Sequence, residues 1–211
     1  MTILSVNKTR EMMGAVCACF LFCFAKGWVR LHPSFFFGSD LMRKNIRHMA
    51  HAAMIAALYA ALTVVQNLIL PGSASMAIQF RAAEALCVLA LFTPAAIPGL
   101  SIGCLVFNLT YAGALPLDPL IGTLATLAVA VTMRLSRSVT VKGFPLIAML
   151  LPAFWNGLLV GWELTLYFGG GFWLNGLYVA IGEAAVLLTL GTVLYYTLKT
   201  RKLAVRLFGS N

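Results

Sequence analysis

The chain has 211 residues, 61% of them hydrophobic and 10% charged, with a mean hydropathy of +0.93. A water-soluble domain normally carries roughly a quarter charged residues, so the composition argues against a soluble enzyme, a disordered chain or a nucleic-acid-binding module. The formal charge of +9 does not alter this, because the 15 Lys and Arg fall in short clusters between long uncharged runs, as in multi-pass membrane proteins.

Residues 1–41 stand apart. They hold six of the 14 Phe and three of the five Cys, and their apolar stretch, Met12 to Ala25, is short for a span that needs about 20 residues. The expectation is an N-terminal extension over 1–41, with the functional chain starting at Met42, followed by one membrane domain over 42–211.

Pro, Gly and polar turns divide the apolar remainder into six helices. The first covers about 48–70 and ends at Pro71-Gly72-Ser73. The second covers about 76–92 and closes at Thr93-Pro94, and the third covers about 95–113. The fourth runs over about 118–134, the fifth over about 144–168 before Gly169-Gly170-Gly171, and the sixth over about 173–198. Basic clusters lie at Arg43, Lys44 and Arg47, at Arg134, Arg137 and Lys142, and at Lys199, Arg201, Lys202 and Arg206. The intervening turns carry no basic residue. The predicted fold is an all-α, multi-pass protein of the cell membrane with six transmembrane helices and both termini cytoplasmic.

Within the first helix, Ala53, Ala57 and Ala61 repeat every four residues, as do Ala56 and Ala60. Such a smooth face serves either internal packing or docking against another membrane protein.

A charge at a helix centre costs about 2.5–3.5 kcal/mol on insertion scales, so each intramembrane charge calls for a reason. Arg81 and Glu84 lie in helix two, Asp118 at the start of helix four, Glu163 in helix five and Glu183 in helix six. With both termini inside, the first four fall in the outer half, and Glu183 lies about 15 Å below the outer end of its helix. Gln79, Phe80, Trp155, Asn156, Trp173 and Asn175 stand around them, giving a polar pocket with aromatic walls suited to a small molecule. Structural readings remain open for some: an Arg81–Glu84 ion pair, Asp118 as a helix cap ahead of Pro119, and the Trp residues as interfacial aromatics. Glu163 and Glu183 have no second basic residue expected at their depth, which makes ligand contact the stronger reading. Cys87 and Cys104 read as apolar fillers, and no metal or cofactor is expected. GxxxxGK[ST], HExxH and GxSxG motifs are absent, so neither ATP hydrolysis nor a familiar hydrolase chemistry is encoded.

Several blocks carry a resemblance. Ile78-Gln79-Phe80-Arg81 with Glu84-Ala85-Leu86, the run Leu91 to Gly99, and Ile102-Gly103-Cys104 are similar to the QueT family of queuosine-precursor transporters. So are Asp118 with Gly122 to Leu127, Asn156 with Glu163, and Phe172 to Asn175 leading to Gly182-Glu183-Ala184. The resemblance covers about 48–198. It implies a six-helix S component, the substrate-binding subunit of an energy-coupling-factor (ECF) transporter. On that reading a transmembrane coupling protein, EcfT, and separate ATPase subunits supply the energy, so the chain itself is not an enzyme. It also implies docking of the helix-one alanines on the coupling protein, and a 7-deazaguanine substrate such as preQ0, preQ1 or queuine.

The alternatives are an S component for thiamine or biotin, or a small intramembrane enzyme using Glu163 and Glu183 as acid and base. A guanine-type edge suits one carboxylate accepting two parallel N–H bonds from Glu84, Glu163 or Glu183, with Gln79, Asn156 or Asn175 donating to the exocyclic oxygen. Four acids against one Arg favour a cationic aminomethyl precursor over the neutral nitrile.

Overall fold

The computed structural model describes residues 39–70, 80–111, 113–200 and 203–208. The chain separates into two compact units, Met1–Arg43 and Lys44–Asn211, and apart from the first turn of the first helix everything below concerns the second. The extension over 1–41 falls almost entirely outside the described residues, as does Gln79.

The described residues are helical, with no strand beyond one isolated bridge between Val141 and Phe144. In chain order the elements are α1 (Ser39–Ile69), α2 (Ala82–Phe92), α3 (Ala96–Thr110), α4 (Asp118–Leu135), α5 (Leu146–Phe168), α6 (Phe172–Thr200) and a terminal α7 (Leu203–Phe208). Four segments are long and apolar enough to cross a bilayer: Asn45–Ile69, Asp118–Ser138, Leu146–Phe168 and Phe172–Thr200.

The helices expected over 76–92 and 95–113 come out shorter, as α2 and α3. Local chemistry accounts for the bounds of α2. Arg81 is extended (φ −96°, ψ 98°), so α2 begins only after it. Ala82–Val88 then winds as a tight 3-10 helix before Leu89–Phe92 turns α-helical. Thr93 is extended ahead of Pro94, which ends α2. At about 2.0 and 1.5 Å per residue, α2 spans roughly 20 Å and α3 roughly 22 Å, less than the ~30 Å hydrocarbon core. Arg134 of α4 donates to the carbonyls of Leu91 (3.2 Å) and Ala90 (3.5 Å), satisfying the open end of α2.

Glycine sets the closest crossings. Gly99 and Gly103 of α3 lie against α1: a Cβ on Gly99 would stand 2.7 Å from the Ala52 carbonyl, and one on Gly103 2.8 Å from that of Ala56. Gly176 of α6 lies against both Gly157 and Gly161 of α5, where a Cβ on Gly161 would stand 2.5 Å from the Gly176 Cα. Gly157 and Gly161 form a GxxxG pair, which lets two helix backbones meet without side chains between them. The α5–α6 turn uses Gly169 (φ 71°) and Gly170 (φ 81°), conformations only glycine adopts freely.

The main core gathers Ile55 and Tyr59 of α1 with Ala83, Cys87 and Ala90 of α2, Leu100 and Cys104 of α3, and Val129 and Met133 of α4. Leucines on the outer faces are exposed, among them Leu58, Leu124, Leu158 and Leu188, as expected of helices whose other surface meets lipid. Threonine hydroxyls bond back to carbonyls one turn earlier, as in Thr63 to Tyr59 and Thr126 to Gly122, which removes unpaired donors from the apolar interior.

A buried carboxylate cluster around Arg81

The bundle buries four acids and one base. Among the described residues, Arg81 (4% exposed), Glu84 (1%), Asp118 (6%), Glu163 (0%) and Glu183 (1%) are the buried charged side chains, and each comes from α2, the segment leading into it, α4, α5 or α6. Arg81 stands in electrostatic reach of all four acids and of Tyr59 and Cys104. Its Nη1 lies 3.9 Å from where a Cβ on Gly122 would be, so the guanidinium extends beneath Asp118 on the same face of α4.

Position 81 is held from α1. The Gln66 side chain donates to the Phe80 carbonyl, and the Ala82 N–H donates to Gln66 Oε1 at 2.7 Å. One amide thus grips the backbone on both sides of Arg81 and fixes the extended turn from which its side chain departs.

The four acids divide into two kinds. Glu84 is satisfied by protein: the Tyr59 hydroxyl donates to Oε1 at 2.5 Å and the Cys87 thiol to Oε2 at 3.0 Å. Asp118 accepts the Leu115 N–H on Oδ2 at 2.7 Å, which closes the turn before α4, while its own carbonyl accepts from Asn108 Nδ2 at 3.0 Å. Asp118 therefore braces the start of α4 by reaching back to a preceding N–H, and it is the first residue of the helix rather than its cap. Glu163 and Glu183 differ: among the described residues, no N–H or O–H donor reaches any of their four buried oxygens. The Glu163 carboxyl lies near that of Asp118. Asn156 Nδ2 and Asn108 Oδ1 are likewise buried without a hydrogen-bond partner among the described residues.

Depth follows from the α5–α6 crossing. Counted from Gly176 against the midpoint of Gly157 and Gly161, Glu163 stands about 6 Å toward the glycine turn and Glu183 about 10 Å away from it. Glu163 with Asp118 and Glu183 with Glu84 form two tiers, and Arg81 interacts with both. The Cα–Cβ bond leans toward a helix's N-terminus, so Glu163 leans away from the glycine turn and Glu183 toward it.

The remaining expected site residues lie elsewhere. Asn175 ties the turn, its Nδ2 donating to Thr165 Oγ1 and to the Gly169 carbonyl, each at 3.0 Å. Trp155 is part-buried against the core, and its indole N–H donates to Thr132 Oγ1 at 3.2 Å, about 12 Å along α5 from Glu163. Phe80 is 47% and Trp173 82% exposed. Tyr59, Gln66 and Asn108 belong to the cluster and were missed by sequence reasoning, since lone polar residues in apolar helices look like ordinary packing. Of the helix-one alanines, Ala56 is buried against Gly103, Ala57 and Ala60 are part-buried, and Ala53 and Ala61 are exposed. No group of His, Cys, Asp and Glu among the described residues is arranged to hold a metal ion.

Comparison with curated proteins and with solved structures returns no match. The model of the QueT transporter family matches residues 49–200, most of the chain and every residue of the cluster. A buried polar cluster inside apolar helices is what a membrane transporter needs to hold a solute, and the chain belongs to the QueT transporter family rather than to a family of enzymes.

Proposed function

We propose that the protein is the substrate-capture subunit of an ECF-type importer and binds a 7-deazaguanine precursor of queuosine. The observation that carries this reading is the pair Glu163 and Glu183, fully buried with no hydrogen-bond donor to either carboxyl among the described residues. Leaving such groups unpaired costs several kcal/mol, so a protein retains them where a ligand supplies the missing donors. A guanine-type edge offers adjacent N–H and NH2 donors that one carboxylate accepts in parallel, and its exocyclic oxygen accepts from Asn156 Nδ2. Arg81 holds the acids in place, and Asp118 completes the site. Glu84 is assigned to Tyr59 and Cys87 rather than to the ligand.

In this reading α2 and α3 count with the four longer helices as six spans. The basic clusters then place both termini on the cytoplasmic side of the plasma membrane. The energy comes from partner ATPase subunits through the coupling protein EcfT, which docks on the small-residue face of α1 at Ala53, Ala57 and Ala61.

The test is equilibrium binding to the purified full chain of 7-aminomethyl-7-deazaguanine, 7-cyano-7-deazaguanine, guanine, thiamine and biotin. Binding of a deazaguanine with no binding of thiamine or biotin is expected. Binding of thiamine or biotin alone would move the protein to another solute.

A further inference from the structure

The end of the bundle opposite the glycine turn is basic and lacks acids. Arg134 lies in the last turn of α4 and Arg137 in the short turn after it, Lys142 stands at the tip of the loop to α5, and Lys199 lies in the last turn of α6. Arg137, Lys142 and Lys199 are exposed. Among the described side chains every Asp and Glu belongs to the cluster around Arg81, so this end is left positive. Arg134 and Arg137 even stand in electrostatic reach of each other. Like charges held together favour an anion beside them.

The loop is built against its own backbone preference. Val141 and Phe144 exchange N–H···O bonds of 2.8 and 3.0 Å, closing a two-residue turn over Lys142 (φ 51°) and Gly143 (φ 80°). Such a turn favours Asn or Gly where Lys142 stands. Lys142 is the one non-glycine residue with positive φ among those described, and a side chain kept at such a position points to a role for it. Lys199 is fixed beside the same turn. Its Nζ donates to the Gly143 carbonyl at 3.2 Å and to the Tyr195 hydroxyl at 3.3 Å, and lies 5.3 Å from the Tyr195 ring centroid. An ammonium has three donors, so one remains for an anion. Interleaved with these cations, Leu135, Val139 and Val141 expose apolar side chains.

We propose that the α4–α5 loop, together with Lys199, is a docking surface for an anionic phospholipid. Arg137, Lys142 and Lys199 take the headgroup phosphate, and Leu135, Val139 and Val141 enter the acyl layer beside it. Charge complementarity selects this occupant: a soluble anion would leave the apolar side chains in water, and a zwitterionic lipid would cover them without answering the net positive charge. The surface is continuous with the interior, because Arg134 donates to the Leu91 and Ala90 carbonyls at the end of α2. Lipid bound here therefore stabilises the folded bundle by mass action. The proposal does not depend on which solute the buried cluster takes.

The experiment titrates the purified full chain, in a neutral detergent, with phosphatidylglycerol, phosphatidylcholine or inorganic phosphate and follows the midpoint of thermal unfolding. Phosphatidylglycerol is expected to raise the midpoint, less so as salt is added, and the other two to leave it unchanged. A basic residue near an anionic surface changes affinity by roughly 5-fold, so Arg137→Gln with Lys142→Gly should raise the half-saturating phosphatidylglycerol concentration about 25-fold. Lys142→Gly alone should weaken the lipid response by roughly 5-fold yet unfold no earlier than the wild type in detergent, because glycine suits a φ of 51°. That pairing separates a lost lipid contact from a damaged fold. Equal shifts with phosphatidylglycerol and phosphatidylcholine would overturn the proposal, as would a double variant that responds like the wild type. A shift as large with inorganic phosphate would give the surface to a soluble anion and overturn the lipid assignment.

Discussion

The Tyr59 hydroxyl of α1 stands 2.5 Å from Glu84 Oε1 of α2, joining the 31-residue α1 to the short α2 through a buried hydrogen bond. Both residues are essentially sealed from solvent, at 0% and 1% exposure. Tyr59→Phe keeps the ring in the core and leaves one Glu84 oxygen without a donor. The expected cost is about 1–3 kcal/mol of stability, read as a lowered midpoint of thermal unfolding in detergent. Removing both partners should be milder than removing one, so Tyr59→Phe with Glu84→Leu is expected to recover part of the loss.

The α5–α6 crossing fixes the relative height of Glu163 and Glu183, and it tolerates no side chain. A Cβ on Gly161 would lie 2.5 Å from one backbone atom of Gly176 and 2.8 Å from another, neither of which can rotate away. Gly161→Ala should separate the helices at a cost of about 1–3 kcal/mol. The same separation pulls the two carboxylates off their common ligand, so binding should fall together with stability. Retained affinity in a destabilised Gly161→Ala protein would show that the ligand does not span α5 and α6.

Gln66 grips the chain on both sides of Arg81. Gln66→Leu removes both hydrogen bonds, each worth about 0.5–1.5 kcal/mol, and frees the segment that aims the guanidinium. The expected result is a roughly 10-fold weaker affinity for a deazaguanine ligand in equilibrium binding, from loss of about 1.4 kcal/mol of orientation. Gln66→Glu keeps the acceptor for the Ala82 N–H but loses the donor to Phe80, and an intermediate affinity is expected.

Much of this site was legible in the sequence because charge inside an apolar run is conspicuous: Arg81, Glu84, Asp118, Glu163 and Glu183 all prove to be buried, and they gather around one guanidinium. Composition cannot say which acid is already satisfied. Glu84 and Glu183 look alike in sequence, and only the Tyr59 and Cys87 contacts, from 25 and three residues away, separate them. The surroundings of the aromatic residues were equally hidden. Spacing says nothing of the Thr132 hydroxyl that takes the Trp155 N–H, nor that Trp173, near the turn, is exposed. The short α2 was hidden because a 3-10 helix and an α-helix present similar apolar runs. The glycine crossing was the missed opportunity, since Gly157 and Gly161 display their spacing openly.

The alanines of α1 give a last prediction, because the structure divides into two faces what the four-residue spacing made one stripe. Ala56 packs on Gly103, whose added Cβ would stand 2.8 Å from the Ala56 carbonyl and 3.1 Å from its Cα, so this position belongs to the interior. Ala53 and Ala61 are exposed on the other side, with Ala57 part-buried between them. Enlarging a residue at a tight helix crossing forces the backbones apart, whereas enlarging one that faces lipid costs little. Ala56→Leu should therefore lower the unfolding midpoint and reduce solute binding together. The double substitution Ala53→Leu with Ala61→Leu should leave both unchanged, yet abolish co-purification with the coupling protein if that face is the docking surface. Intact co-purification of the double variant would remove this face of α1 from the proposed docking interface, and the proposed coupling would have to run through another helix.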